Sequence, residues 1–253
     1  MGLSQRFDER KRFLPLLLLG WLAAGCLYRP GPTTVPMRTL EISEGSAGTR
    51  CLVVFLPGRG DTPEHFVRNG FPEDLQRAGS RCAMRAVDSH LGYFFEKTIV
   101  DRLREDVIAP ARAEGFEEIW LVGISLGGFG SLLYTKEHPG EVAGIVAIAS
   151  YLGEREEFPD FWTWLESPDA GRTPLFLAYG ERDRFAEVNG WLAGRLPADH
   201  VFRVRGRHTW ATWRRAWDAF LASPHVPGRS APSTPRGPAP TYSARSGSPR
   251  AGS

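Results

Sequence analysis

Cysteine is scarce: Cys26, Cys51 and Cys82 are the three in 253 residues, too few for a small disulfide-stapled scaffold, so the fold must rest on a buried core. Long apolar runs are also missing. The longest, "FLPLLLLGWLAA" at 13–24, is shorter than a comfortable bilayer span. There is no internal repeat, which excludes a solenoid, and no Lys-Ser/Thr pair in Walker spacing, which argues against a phosphate-cradling loop. The six histidines show no metal-ligand spacing, so no metal site is expected. Nor does one charge dominate. The formal net charge is +2, but residues 1–25 carry +2 and residues 224–253 carry +4 without an acid, which leaves −4 on the folded middle. A mildly acidic middle has no nucleic-acid footprint.

What is present begins with Arg6, Arg10, Lys11 and Arg12 ahead of that apolar run, the layout of an export signal over residues 1–25. The run ends in "LAAGC", which resembles the bacterial lipoprotein processing box and implies lipidation of Cys26 and a membrane-anchored envelope location. Ordinary cleavage, giving a secreted or periplasmic protein, and an uncleaved anchor are the alternatives; all three export the domain. Residues 26–36 read as a Pro-rich tether. Residues 224–253, rich in Pro, Ser, Gly and Arg, hold too little apolar surface to order themselves and are expected to be a disordered tail.

Between these ends, residues 37–223 form one domain. Seven short strand-like runs, "MRTLEIS", "CLVVFLPG", "RCAMRAVD", "IWLVGIS", "VAGIVAIAS", "PLFLAYG" and "HVFRVRG", alternate with helical segments such as "WATWRRAWDAFLAS". Alternation of this kind predicts an α/β fold with a doubly wound, mostly parallel sheet. Ligands of such sheets bind beyond the carboxyl ends of the strands, which filters the candidates by position.

Ser125 passes that filter in "GISLGGFG", at a strand-to-helix turn where Gly123 and Gly127 remove side chains and Gly128 lets the helix start close to the sheet. A serine needs a base, and His208, after the last strand in "RGRHTWATW", lies at the correct sheet edge and in the chain order serine, acid, histidine. His65 and His90 also follow strands but read better as loop histidines. Asp183 in "LAYGERDRF" is the favoured acid, with Glu181, Asp160 and Asp169 as alternatives. The oxyanion donors are expected to be the N–H groups of Leu126, next to the nucleophile, and of Arg59 in "FLPGRGDT", with Gly60 next in line.

With these residues assembled, residues 37–223 resemble an α/β-hydrolase. "LPGRGDT" is similar to the oxyanion turn of the carboxylesterase, phospholipase and acyl-protein thioesterase group, with Pro57-Gly58 where those have His-Gly. "GISLGGFGSLL" and "RHTWATWRRAWDAFL" resemble the family that includes feruloyl esterases and esterase D. The resemblance implies a serine hydrolase, carboxylesterase-like, cleaving a small-molecule or lipid ester through an acyl-enzyme, with no cofactor and as a monomer. A non-catalytic surface lipoprotein on the same fold, or a thioesterase, peptidase or acyltransferase with the same triad, is the alternative. The segment 151–173 is room for a flap, not for a large cap. Tyr93, Phe94, Phe158, Trp162 and Trp164 are candidates to line a substrate groove, and core packing is the equal alternative for all of them. Arg59, Arg182, Arg184 and Arg207 hint at an anionic substrate group or a solvated rim. The hydrolase topology sets the strands opened by Cys51 and Cys82 side by side, which implies a disulfide between them, two reduced thiols being the alternative.

Overall fold

Continuous apolar runs in the central strands dictate a sheet covered on both faces. In the computed structural model, which describes residues 31–229, β2 (Cys51–Leu56) is buried at every position. Cys51, Val53 and Phe55 join one core, while Leu52, Val54 and Leu56 join another on the opposite face, because successive side chains point to opposite sides. The same holds for β5 (Gly144–Ile148) and β6 (Leu175–Gly180), and for β4 (Glu118–Ile124) after its first residue.

β1 (Thr39–Ser43), β3 (Ala83–Val87) and β7 (Val201–Val204) complete a seven-stranded sheet in the order β1-β3-β2-β4-β5-β6-β7. Only β1, paired with β3, is antiparallel. After β3 the chain crosses back to lay β4 against β2, with Leu56 opposite Gly123. That reversal opens a crevice beyond the carboxyl ends of β2 and β4, where this class of sheet holds its ligands.

One face is packed by α1 (Glu64–Arg68), α2 (Phe71–Arg77) and the last helix, α9 (Trp210–Leu221). Phe55, Phe66, Phe71 and Trp217 interlock there with ring centroids 4.9 to 6.5 Å apart. Truncating the fully buried Trp217 to alanine is worth about 3 to 5 kcal/mol. The other face carries α6 (Leu126–Glu137), α8 (Ala186–Ala193) and a helical stretch made of α4 (Ile99–Leu103), a wide turn at Arg104–Ile108 and α5 (Ala109–Ala113). The wide turn ends two residues before Pro110, which has no N–H to offer the carbonyl of Asp106. Two short helices, α3 (Leu91–Phe95) and α7 (Pro159–Glu166), flank the crevice. No described helix is long and apolar enough to cross a membrane.

Both expected domain edges move. The tether does not run free to residue 36, since Thr34 donates its N–H to the Tyr93 hydroxyl and Thr33 bonds Glu96. At the other end, residues 224–229 are structured. Val226 is buried, and Arg229 donates to the carbonyls of Ala78, Ser223 and Leu221. Low apolar content does not prevent this, because one buried valine and three carbonyl bonds suffice to hold so short a segment. The remainder of the expected tail, and Cys26 with the export signal, lie outside the described residues.

Candidate active site

Ser125 occupies a backbone conformation that side chains rarely adopt, φ 52° and ψ −110°, between β4 and α6. Strain of this kind persists only where neighbours fix it. Here the Ser125 N–H donates to the Ile148 carbonyl at 2.9 Å, and the Ser125 carbonyl accepts from Phe129 and Tyr151 at 3.2 and 3.1 Å. The flanking glycines are obligatory: a Cβ on Gly123 would stand 2.3 Å from the Gly127 carbonyl oxygen, and one on Gly127 2.1 Å from that of Leu56. The sharp turn presses β2, β4 and α6 together and lifts the hydroxyl toward the crevice.

His208 meets it there. Its Nε2 lies 3.1 Å from Ser125 Oγ, and its Nδ1 lies 2.9 Å from both carboxylate oxygens of Asp183. The Asp183 side chain is wholly buried, and Oδ1 also accepts the Phe185 N–H at 2.9 Å. Ring edges of Phe185 and Trp213, with centroids 5.2 and 4.8 Å away, bracket the imidazole. Acid and base loops are held to each other, since the Arg182 N–H donates to the Gly206 carbonyl at 2.9 Å. The alternative acids face elsewhere: Glu181 toward Arg203, Asp169 toward Arg172, and Asp160 into solvent.

The other histidines also have separate employment. His65 accepts from the Thr62 N–H, His90 caps α3 by accepting from Gly92, and His138 closes α6 near Glu141. His200, His225 and Asp199 converge at the opposite end of the sheet, where His200 Nδ1 bonds the Leu175 carbonyl and His225 Nε2 bonds Asp199. No sequence spacing foretold that meeting.

The turn after β2 abuts the serine: a Cβ on Gly58 would lie 3.4 Å from that of Ser125, and Arg59 lines the same cavity as Ser125 and Leu126. As the first residue of α6, Leu126 has an N–H without an intrahelical acceptor. Two supports escaped the sequence reading. Trp210 Nε1 donates to Asp61 Oδ1 at 3.1 Å, tying this turn to the helix that follows His208. The buried Asn189 accepts from the Ser150 N–H at 3.1 Å and donates to the carbonyls of Ser150 and Phe185, both at 2.8 Å, pinning the loop after β5 to the acid turn. Asn189 belongs to no motif, and Trp210, although it lies in the histidine segment, carries no local sign of its bond to Asp61.

The cavity over Ser125 measures about 370 Å³. Phe94 and Phe158 line it, joined by Leu91, Phe129, Tyr151 and Phe185, with Arg59, Arg184 and Glu157 as its charged edge. Burial, followed by the charges of Glu154 and Glu157, pushes the Tyr151 phenol up, so this wall stays uncharged. Tyr93, Trp162 and Trp164 do not line it, against expectation. Tyr93 is buried beneath α3 and bonded to Thr34; Trp162 is buried, donates to the Gly153 carbonyl at 3.3 Å and packs on Trp191; Trp164 packs on Phe161. The entry to α7 turns Phe158 to the crevice and its next turn toward the core. Of the four arginines, only Arg59 and Arg184 border the cavity. Cys51 and Cys82 are joined by a disulfide, with Cα atoms 4.6 Å apart, at the amino ends of β2 and β3.

Comparison with known proteins places this geometry in a family. The alpha/beta hydrolase fold model matches residues 52–233. A search of curated protein sequences finds no match. Among solved structures, the chain is similar to S-formylglutathione hydrolase from Staphylococcus aureus, with TM-score 0.56, 12% identity, and 76% of this chain and 98% of that one covered. It is similar also to a monoacylglycerol lipase from Paleococcus ferrophilus, with TM-score 0.51, 17% identity and coverage of 73% and 98%. The enterobactin esterase of Shigella flexneri gives TM-score 0.53 and 14% identity, over 73% of this chain and 55% of that one. At such identities the likeness is one of fold. With the family model spanning most of the sequence, the chain belongs to the alpha/beta hydrolase fold family.

Proposed function

We propose that this protein is a serine hydrolase of carboxylic esters. The observation that carries the reading is one imidazole within hydrogen-bond reach of both a strained serine and a fully buried aspartate, at the sheet's switch point. In the proposed reaction, His208 Nε2 takes the proton of Ser125 Oγ as the oxygen attacks the ester carbonyl. Asp183 fixes the tautomer through Nδ1–H and stabilises the imidazolium. The carbonyl oxygen acquires negative charge and is received by the N–H groups of Leu126 and Arg59, each such donor contributing about 2.7 to 4 kcal/mol. His208 then gives its proton to the departing alkoxide, leaving an acyl group on Ser125. Water, deprotonated by the same ring, releases the acid and restores the serine.

A fluorophosphonate probe tests this directly. Labelling of the wild type and none of Ser125→Ala is expected; a folded wild type that takes no label would leave a binding module on a hydrolase fold. We further propose an exported protein whose Cys26 is lipidated. The Cys51–Cys82 disulfide supports an oxidising compartment. Metabolic incorporation of labelled palmitate, lost in Cys26→Ala, is the expected result; a mature N-terminus cut elsewhere and without lipid refutes it.

A further inference from the structure

A second cavity, about 620 Å³, lies behind the first. The two share the walls formed by Phe94, Phe95, Phe129 and Phe158, with Glu157 at their common edge. Phe129 is the centre of that partition, its ring 6.2 Å from Phe94 and 5.0 Å from Phe158. Beyond it the floor stays apolar, with Val100 and Leu133 among its residues. Charges of both signs, Lys97 and Lys136 with Glu137, Glu157 and Asp160, edge the second cavity, a mixed rim rather than a site for one ionic group. Two adjoining cavities with mostly apolar linings, one of them at the Ser125 hydroxyl and divided from the other by aromatic rings, fit a flexible hydrocarbon chain threaded between those rings, whose burial contributes roughly 0.8 kcal/mol per methylene.

Access points the same way. Phe95, on the shared wall, is 67% exposed, while most large apolar side chains of the described residues are buried. The chain's approach to the domain runs along the helix that bears it: a Cβ on Gly92 would stand 2.9 Å from the Gly31 carbonyl oxygen, and Thr34 bonds Tyr93. Five residues of chain reach at most about 18 Å. A lipid on Cys26 would therefore hold α3, and with it the mouth of both cavities, close to a bilayer.

Building on the hydrolase reading, we propose that the substrate is a long-chain acyl ester whose acyl carbon sits at Ser125 and whose hydrocarbon tail crosses Phe129 between Phe94 and Phe158 into the second cavity. The first cavity alone serves short acyl groups. The second confers preference for long ones.

The test compares p-nitrophenyl butyrate with p-nitrophenyl laurate on the full chain, each presented below its micellar concentration and, separately, in phosphatidylcholine vesicles. The wild type is expected to show the higher kcat/KM on laurate in both presentations. Val100→Trp, which fills the second cavity at a partly buried position remote from Ser125, is expected to lower the laurate-to-butyrate ratio at least tenfold, as the loss of a few methylene contacts does. Leu133→Trp provides the same plug from another helix should the first variant not fold. A ratio unchanged by both plugs overturns the subsite, and so does a laurate preference confined to vesicles, where the surface and not the cavity would be selecting. Absence of hydrolysis of either ester by folded wild type instead refutes the hydrolase reading itself.

Discussion

The two ends of the sheet are built on opposite terms. At the carboxyl end the backbone is forced into left-handed conformations at Ser125 and Ala149, polar side chains such as Asp183 and Asn189 are buried, and a cavity stays open. At the amino end a disulfide joins β2 to β3, Val226 and Gly228 pack over it, and Phe176 is flanked by His200 and His225 with centroids 4.2 and 4.7 Å away. Backbone strain and buried polar side chains gather where chemistry is proposed, and the covalent cross-link where it is not. The contrast teaches that the proposed reactive groups and the covalent cross-link occupy different ends, and substitutions can test that separation one end at a time.

The largest effect belongs to the reactive end. Ser125→Ala is expected to lower kcat by about 10⁴-fold or more with little change in Tm, and adding His208→Ala should cost little beyond the single loss, because the groups act as a unit. Independent, additive losses measured by steady-state kinetics would contradict the shared-proton arrangement. Next comes the other end. The disulfide closes a separation of 31 residues, so Cys51→Ala with Cys82→Ala is expected to lower unfolding stability by about 3 to 4 kcal/mol in a urea titration. Activity of the folded fraction should persist; its disappearance would erase the division between the ends.

A pair of glycines sharpens the comparison. Gly127→Ala drives a Cβ into the Leu56 carbonyl at 2.1 Å, where backbone must shift, and is expected to remove most activity along with about 2 to 3 kcal/mol of stability. Gly228→Ala, at φ +61° and with its Cβ 2.4 Å from Cys82 Sγ, should lower Tm with an unchanged KM and kcat. The smallest effect is ionic. Hydrogen bonding from Arg38, then from Thr62, holds the Glu64 carboxyl at about 2, down from 4.5. A lowered native value means the pair stabilises the fold above pH 4.5 and that this contribution fades as pH falls toward 2. Both side chains are more than one third exposed, so screening limits the effect to about 1 kcal/mol at most. Stability of Glu64→Gln should therefore be flatter than wild type on the acid side, and identical acid limbs in the two proteins would show the pair to be inert.

All seven strands were legible because a sheet covered on both faces writes itself as short, continuous apolar runs ended by turn residues. So was the convergence of Ser125, Asp183 and His208 on one sheet edge, since it follows from which strand each residue succeeds. The short helices were not. Five residues at Glu64–Arg68 or Leu91–Phe95 make barely more than one turn, too little for a period to emerge. The pocket wall was half legible for a related reason. Phe158 and Trp162 are both aromatic and four residues apart, but which ring faces the crevice depends on how α7 enters, and composition carries no direction. Supports such as Asn189 and Trp210 act through contacts between elements distant in the chain, and no local pattern records those.

The course of the chain past α9 has a practical corollary. Gly228 lies against the sulfurs of the Cys51–Cys82 bridge and Arg229 is tied to the carbonyl of Ala78, so at residue 229 the polypeptide stands at the end of the sheet opposite the Ser125 cavity. An affinity handle, reporter or resin linkage placed directly after residue 229 would begin at the end of the sheet away from the Ser125 cavity. The same addition made just upstream of Thr33 would crowd α3 and the doorway itself.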